Sequence, residues 1–217
     1  MGAAAHGTFT TWVIGMMTSK DIEASNDADV EKRRSWAPEK VLGEYERWSK
    51  RFAATQVALQ KPALRSIPIK VGEVGTYPAK LLTSAIVFDS GLHLRYDMAT
   101  ALGRDVPAPD GNQLAVTVEW MMAGLATMSG DALSWLDRPV ELNLVGPAGS
   151  TWGVLPGGAG KVRVTPGTPA SPAAVIEGDV STFPVWGTRR EPWRSADLSL
   201  KGDEELASRF LDSARII

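Results

Sequence analysis

Cysteine is absent from this chain, which excludes disulfides, thiolate metal ligands and a protein thiol nucleophile. Any sulfur chemistry would need a thiol brought in by a cofactor. Histidine is scarce: His6 and His93 are the two present. No apolar run approaches the roughly 18–20 residues needed to span a bilayer. Residues 3–17 are moderately apolar, but they lack a basic leader and are interrupted by His6 and threonines, which argues against a signal peptide. An excess of one charge is missing too. The 23 Lys and Arg face 25 Asp and Glu, a net charge of -2, so neither nucleic acid nor an anionic membrane is an expected partner. These absences leave a soluble, cytoplasmic protein of 217 residues, long enough to bury a core as one domain or two small ones.

What is present divides by periodicity. Residues 2–19 place Phe9, Trp12, Val13 and Met16 at helical spacing. The charged stretch 21–36 reads as a loop or a short surface helix. Pro38 suits a first helical turn, and a stripe from Val41 through Tyr45, Trp48 and Phe52 to Leu59 carries that helix to about Gln60. Residues 61–77, with Pro62, Pro68, Gly72 and Gly75, read as an extended connection. Pro78 then opens a helix to about Ala101, and 113–136 forms another. After Asp137 the pattern becomes β-like. Short runs at 139–145, 151–155, 161–165 and 173–177 are separated by glycine- and proline-rich turns. Residues 179–188 read as helix, 197–201 as a last strand, and 203–214 as a terminal helix capped by Asp203. The expected fold class is α+β: a helical bundle over 1–136 followed by a small α+β domain over 137–217.

The chemistry-bearing stretch is Phe88-Asp89-Ser90-Gly91-Leu92-His93-Leu94-Arg95-Tyr96-Asp97. Asp89, His93 and Asp97 fall four residues apart, so a helix projects all three from one face. A carboxylate and an imidazole one turn apart can hold two corners of a divalent metal and leave the others to neighbouring helices or water. The same spacing also serves a plain polar seam. His6, on the first helix, is a candidate third ligand. A second cluster is Trp186-Gly187-Thr188-Arg189-Arg190-Glu191-Pro192-Trp193-Arg194. Its arginines suit a carboxylate or phosphate through the guanidinium fork, or they close a helix C-terminus and pair with nearby acids. The glycine-rich run 156–160 lacks the Lys-Ser/Thr ending of a phosphate loop and reads as a hairpin turn.

Two segments together resemble a known family. Residues 88–103, with acid, histidine and aspartate four apart followed by Ala-Leu-Gly, resemble the metal helix of the mycothiol-dependent maleylpyruvate isomerases of actinobacteria. Residues 175–217, with Glu177-Gly178-Asp179, Trp186-Gly187-Thr188-Arg189-Arg190, Gly202-Asp203 and Phe210-Leu211-Asp212, resemble that family's closing segment. The resemblance implies a DinB-like metal-binding bundle joined to a sterol-carrier-like α+β domain. It implies zinc or another divalent metal on Asp89 and His93, with Asp standing where the family uses Glu, and Asp97 orienting the site from behind. It also implies a functional arginine at Arg189 or Arg190.

The activity so implied is thiol addition to an activated double bond followed by cis–trans isomerisation, with mycothiol as the thiol and a small electrophile as substrate. S-transfer to other electrophiles is the enzymatic alternative, and a non-catalytic small-molecule or protein-binding module with a degenerate metal site is the other. At the N-terminus the chain departs from the family. It begins inside the second helix of the bundle, with the family's first ligand falling before Met1 and His6 about two turns beyond it. A bundle short of one helix would expose apolar surface for a partner, such as a second copy, to cover.

Overall fold

The computed structural model describes residues 22–72 and 74–216. Residues 2–19, expected to be helical, and the candidate ligand His6 lie outside them. By contacts the chain separates into two compact units that meet at Thr83 and Ser84. The change of periodicity at residue 137 and this division mark different things. One records where strands begin, the other which elements share a core.

In the first unit, α1 (Ile22–Arg33) and α2 (Pro38–Leu59) are followed by an antiparallel hairpin of β1 (Pro68–Val71) and β2 (Gly75–Pro78). The charged stretch 21–36 therefore takes the helical of its two readings. It is pinned by a nearly buried ion pair, Arg33 Nε to Glu44 Oε2 at 2.7 Å, with Arg33 also donating to Asp29. Residues 61–77 are not simply an extended connection. Residues 68–78 pair in register, with Pro68 opposite Pro78. The prolines sit at the ends of the ladder, where a missing N–H donor costs no pairing. Pro78 closes this hairpin instead of opening a helix. A small core of Leu59, Ala79 and Leu82, flanked by Ile69 and Val71, holds the unit.

The helix expected over 77–101 is α3, Leu81–Leu92, and it continues as a π-helical turn, His93–Met98, and one last α turn, Ala99–Leu102. Gly103, at φ 59°, ends it. Arg95 ties the π-turn forward. It donates to Pro107 O at 2.9 Å and to Gln113 Oε1 at 2.9 Å. Gln113 is itself the third residue of α4 (Gly111–Met128), where it and Asp110 cap each other reciprocally. That helix stops at Met128, short of the expected 136, and a 3₁₀ turn over Gly130–Leu133 follows.

The second unit centres on a five-stranded sheet in the order β5-β4-β3-β6-β7, comprising β3 (Val140–Val145), β4 (Ser150–Pro156), β5 (Val162–Pro166), β6 (Ala174–Asp179) and β7 (Ser199–Gly202). β6 runs parallel to β3; the other pairs are antiparallel. Alternation sorts the side chains. Val140, Leu142, Leu144, Val154 and Ile176 are buried, while Thr151, Asn143 and Glu177 hydrogen-bond in a row on the opposite face. The Asn143 amide and the Lys201 ammonium hold the Glu177 carboxyl below its usual range. α4, α5 (Phe183–Gly187) and α6 (Glu204–Ser213) supply the rest of the core through Met121, Leu125, Phe183 and Phe210. Asp203 caps α6 by accepting from Leu206 N, as the sequence predicts. The expected helix 179–188 contracts to the five residues of α5. The fold class is α+β.

Candidate functional site

The Asp89–His93–Asp97 face exists, but it is not a plain α-helical stripe. His93 opens the π-turn, a local widening often found at functional sites. With about 4.4 residues per π-turn, a four-residue step still falls short of one revolution by only a small angle, so His93 and Asp97 remain on one side. His93 Nδ1 lies 2.6 Å from Asp97 Oδ2, and its Nε2 lies 3.5 Å from Asp89 Oδ1.

Asp97 has a second partner from far along the chain. Arg190 clamps both of its oxygens with one edge, Nε to Oδ1 at 3.0 Å and one terminal nitrogen to Oδ2 at 2.8 Å. The Arg190 guanidinium, with His93 adding to it, holds the Asp97 carboxyl below its ordinary value. An ionised carboxylate only accepts, so Nδ1 of His93 must donate to it. A neutral His93 is then the Nδ1–H tautomer, and the Nε2 lone pair is left facing the Asp89 carboxylate. The two groups stand 3.5 Å apart and open to solvent, a spacing at which one cation could bridge them. Asp89 and His93 are 62% and 57% exposed, so solvent screening leaves the cluster little to contribute to stability.

The donor set bears on a metal directly. Two ligands on a tetrahedral ion with bonds near 2.0–2.1 Å sit about 3.3 Å apart, so His93 Nε2 and Asp89 Oδ1 fit one edge of such a site. Asp97 is ill placed as a ligand, since Arg190 and His93 occupy its oxygens. It fits instead the role of the carboxylate that fixes a ligating imidazole from behind. Among the described residues there is no group of three histidine, aspartate or glutamate side chains able to hold a metal. The chain's described part thus offers two corners.

The two arginines part company. Arg189 has a left-handed backbone at φ 59°, which turns its side chain away from that of its neighbour. While Arg190 reaches Asp97, Arg189 donates from one terminal nitrogen to Asp212 O at 2.6 Å and Ala214 O at 3.0 Å. It therefore closes a helix C-terminus, as cations favour, but the helix is α6 and not its own. Thr188 steadies the turn. Its hydroxyl donates to Pro184 O and accepts from Arg190 at 3.1 Å.

Sequence reasoning missed Asp212. Trp193 donates its indole N–H to Asp212 Oδ1 at 2.8 Å, and Arg194 grips both carboxylate oxygens at 2.7 and 2.9 Å. These bonds, Arg194 first, push the Asp212 carboxyl down to about 2. The sequence carried Asp212 only as the end of the Phe210-Leu211-Asp212 motif and Trp193-Arg194 as a donor pair, with nothing to join the two. Tyr96 went unnoticed too; burial raises its phenol above the usual value, with Arg95 working against the rise.

Below the 189–195 strap lies a cleft of about 310 Å³. Leu142, Phe183, Trp186 and Phe210 line it from the core, with Arg189 and Trp193 at its rim. The Trp186 indole N–H is buried and finds no acceptor among the described residues, an omission that ordinarily costs about 1–3 kcal/mol. Phe183 packs edge-on against the Trp186 ring at 4.8 Å. No helix among the described residues is long and apolar enough to cross a membrane.

No protein-family model matches the chain, and no curated protein matches it. Among solved structures, one titled UbiJ-SCP2 Ubiquinone synthesis protein is similar at a TM-score of 0.31 and 14% sequence identity, over 62% of this chain and 95% of that one.

Proposed function

We propose that the Asp89–His93 edge holds a divalent metal, zinc by preference, and that the protein is a metal- and thiol-dependent enzyme of the maleylpyruvate isomerase type. In this reading residues 1–136 form a DinB-like bundle and 137–217 a sterol-carrier-like domain of a cytoplasmic protein. One observation carries it: His93 is committed through Nδ1 to Asp97 at 2.6 Å, which aims Nε2 toward Asp89. That line of carboxylate, imidazole and open donor pair is how proteins orient an imidazole ligand.

Each residue then has a distinct task. Asp89 and His93 would hold the ion, Asp97 would fix the imidazole's tautomer, and Arg190 would fix Asp97. Arg190 spends its N–H groups on Asp97 and Thr188, so it acts as a positioning residue and not as a grip on substrate. When bound, the metal would supply a lowered pKa to a coordinated thiol, and mycothiol the sulfur that a chain without cysteine lacks. The substrate would be a small electrophile with an activated double bond. S-transfer to other electrophiles asks the same of these residues.

The rival reading, a binding module whose metal site has decayed, draws on the two-corner donor set. Metal analysis separates them. The purified full chain should retain about one zinc after dialysis against micromolar zinc, and His93→Ala should lose it while keeping its unfolding temperature. A wild-type chain that emerges without metal overturns the enzyme reading.

A further inference from the structure

The cleft beneath the 189–195 strap lies outside the acid–histidine cluster, and nothing in the proposed reaction uses it. Its interior is apolar and largely aromatic, from Phe183, Trp186 and Phe210. At about 310 Å³ it stands at the small end of ligand pockets, which restricts an occupant to a compact molecule. Two features at its wall call for an electron-rich group. The Trp186 N–H has no acceptor. Arg189 is anchored by one terminal nitrogen to Asp212 O and Ala214 O, and its Nε and other terminal nitrogen have no partner among the described residues. These two free groups diverge on either side of Cδ, so each offers a carboxylate a single charge-assisted hydrogen bond and not a fork.

The other rim charges do not compete equally. Arg194 is neutralised by both oxygens of Asp212. Glu191 also lines the cleft, but it is exposed and makes no hydrogen bond or ion pair with the described residues of the strap. The fixed charge is the cation.

We infer that this cleft binds a small aromatic monocarboxylate, the ring against Phe183, Trp186 and Phe210 and the carboxylate on one of the N–H groups that Arg189 keeps free. The backbone at Arg189 explains how one turn serves two ends: the left-handed residue turns one guanidinium to the cleft while the next residue's reaches Asp97. The inference does not depend on a metal at His93.

Calorimetric titration of the full chain with phenylacetate and its neutral isostere phenylacetamide tests it. Phenylacetate should bind saturably with one site, and phenylacetamide at least tenfold more weakly. Arg189→Gln keeps a non-glycine residue at the same left-handed position and should erase that difference. Glu191→Gln should tighten phenylacetate by removing the opposing charge at the rim. His93→Ala should bind phenylacetate as the wild type does, whatever its metal content. No saturable binding of phenylacetate below about 10 mM, the weak limit for so small a ligand, overturns the inference. So does equal affinity for acid and amide, or an Arg189→Gln chain that folds normally and still prefers the acid.

Discussion

Asp97 and Asp212 are near copies of one another in local chemistry. Each is an exposed aspartate late in a helix, each is clasped on both oxygens by an arginine from the 188–195 strap, and each accepts a third bond from a ring N–H. They differ in that ring. Asp212 receives an indole, which donates and can do nothing else. Asp97 receives an imidazole whose far nitrogen can bind a proton or a metal. The same arginine clasp therefore makes a fixed latch at one end of the strap and a chemically open site at the other. Ion-pair geometry alone does not identify a site; the partner's remaining valence does.

The largest expected effect sharpens this difference. Asp97→Asn should weaken zinc about ten- to a hundredfold, the usual cost of disturbing the group behind a ligating histidine. Asp212→Asn should leave zinc untouched. Competition with a chromophoric chelator measures both, and equal losses would dissolve the distinction.

A smaller effect concerns acid. The folded-state pKa of Asp212 is depressed from 3.8 to about 2, so its ionised form stabilises the fold above pH 3.8. That contribution fades as pH falls through 3.8 and then 2, and is lost only below about pH 1, where the carboxyl is protonated in both states. Above pH 4, Asp212→Asn should melt a few degrees lower than wild type at most, because the pair is screened by solvent. The two melting curves should draw together as pH falls below 4 and meet near about pH 1. A gap that survives there would show that shape, not charge, makes the latch. Asp97, also depressed, should behave with the same sign.

Smallest is Thr188→Val, which removes the hydroxyl shared by Pro184 O and Arg190 and keeps the side chain's shape. A loss of about 0.5 kcal/mol is expected in urea denaturation. A loss several times greater would make this hydroxyl, and not the arginine clasp, the feature that holds the strap.

Much of the strand-rich half was legible because its cues are local. Turn-forming glycines and prolines at 146–149 and 156–160 bracket β4 within a residue or two, and Asp203 announces α6 with the bond it makes. The first hairpin was hidden because its signal is pairing between Pro68–Val71 and Gly75–Pro78. Taken singly, those segments look like breakers. Helical spacing put Asp89, His93 and Asp97 on one face, but it could not show the π-turn, from which Arg95 bonds forward to Pro107 and Gln113. Nor could it show that Arg189 and Arg190 meet different partners, a divergence that accompanies the left-handed backbone at Arg189. The clasp on Asp97 spans 93 positions, beyond the reach of any periodicity.

The π-turn has a consequence for lineage and engineering. A π-turn carries one residue more than the α-turn it replaces, so it reads as a single-codon insertion that the helix has absorbed. Excising one residue between His93 and Asp97, Leu94 for instance, would let hydrogen bonding close as an ordinary α-helix. His93 and the aspartate would then stand three residues apart on an α-helix, about 300° round where the π-turn sets them about 327° apart, and so still on one face. The acid–histidine pair therefore tolerates either length of this segment, and the extra residue of the π-turn is one that the pair itself does not require.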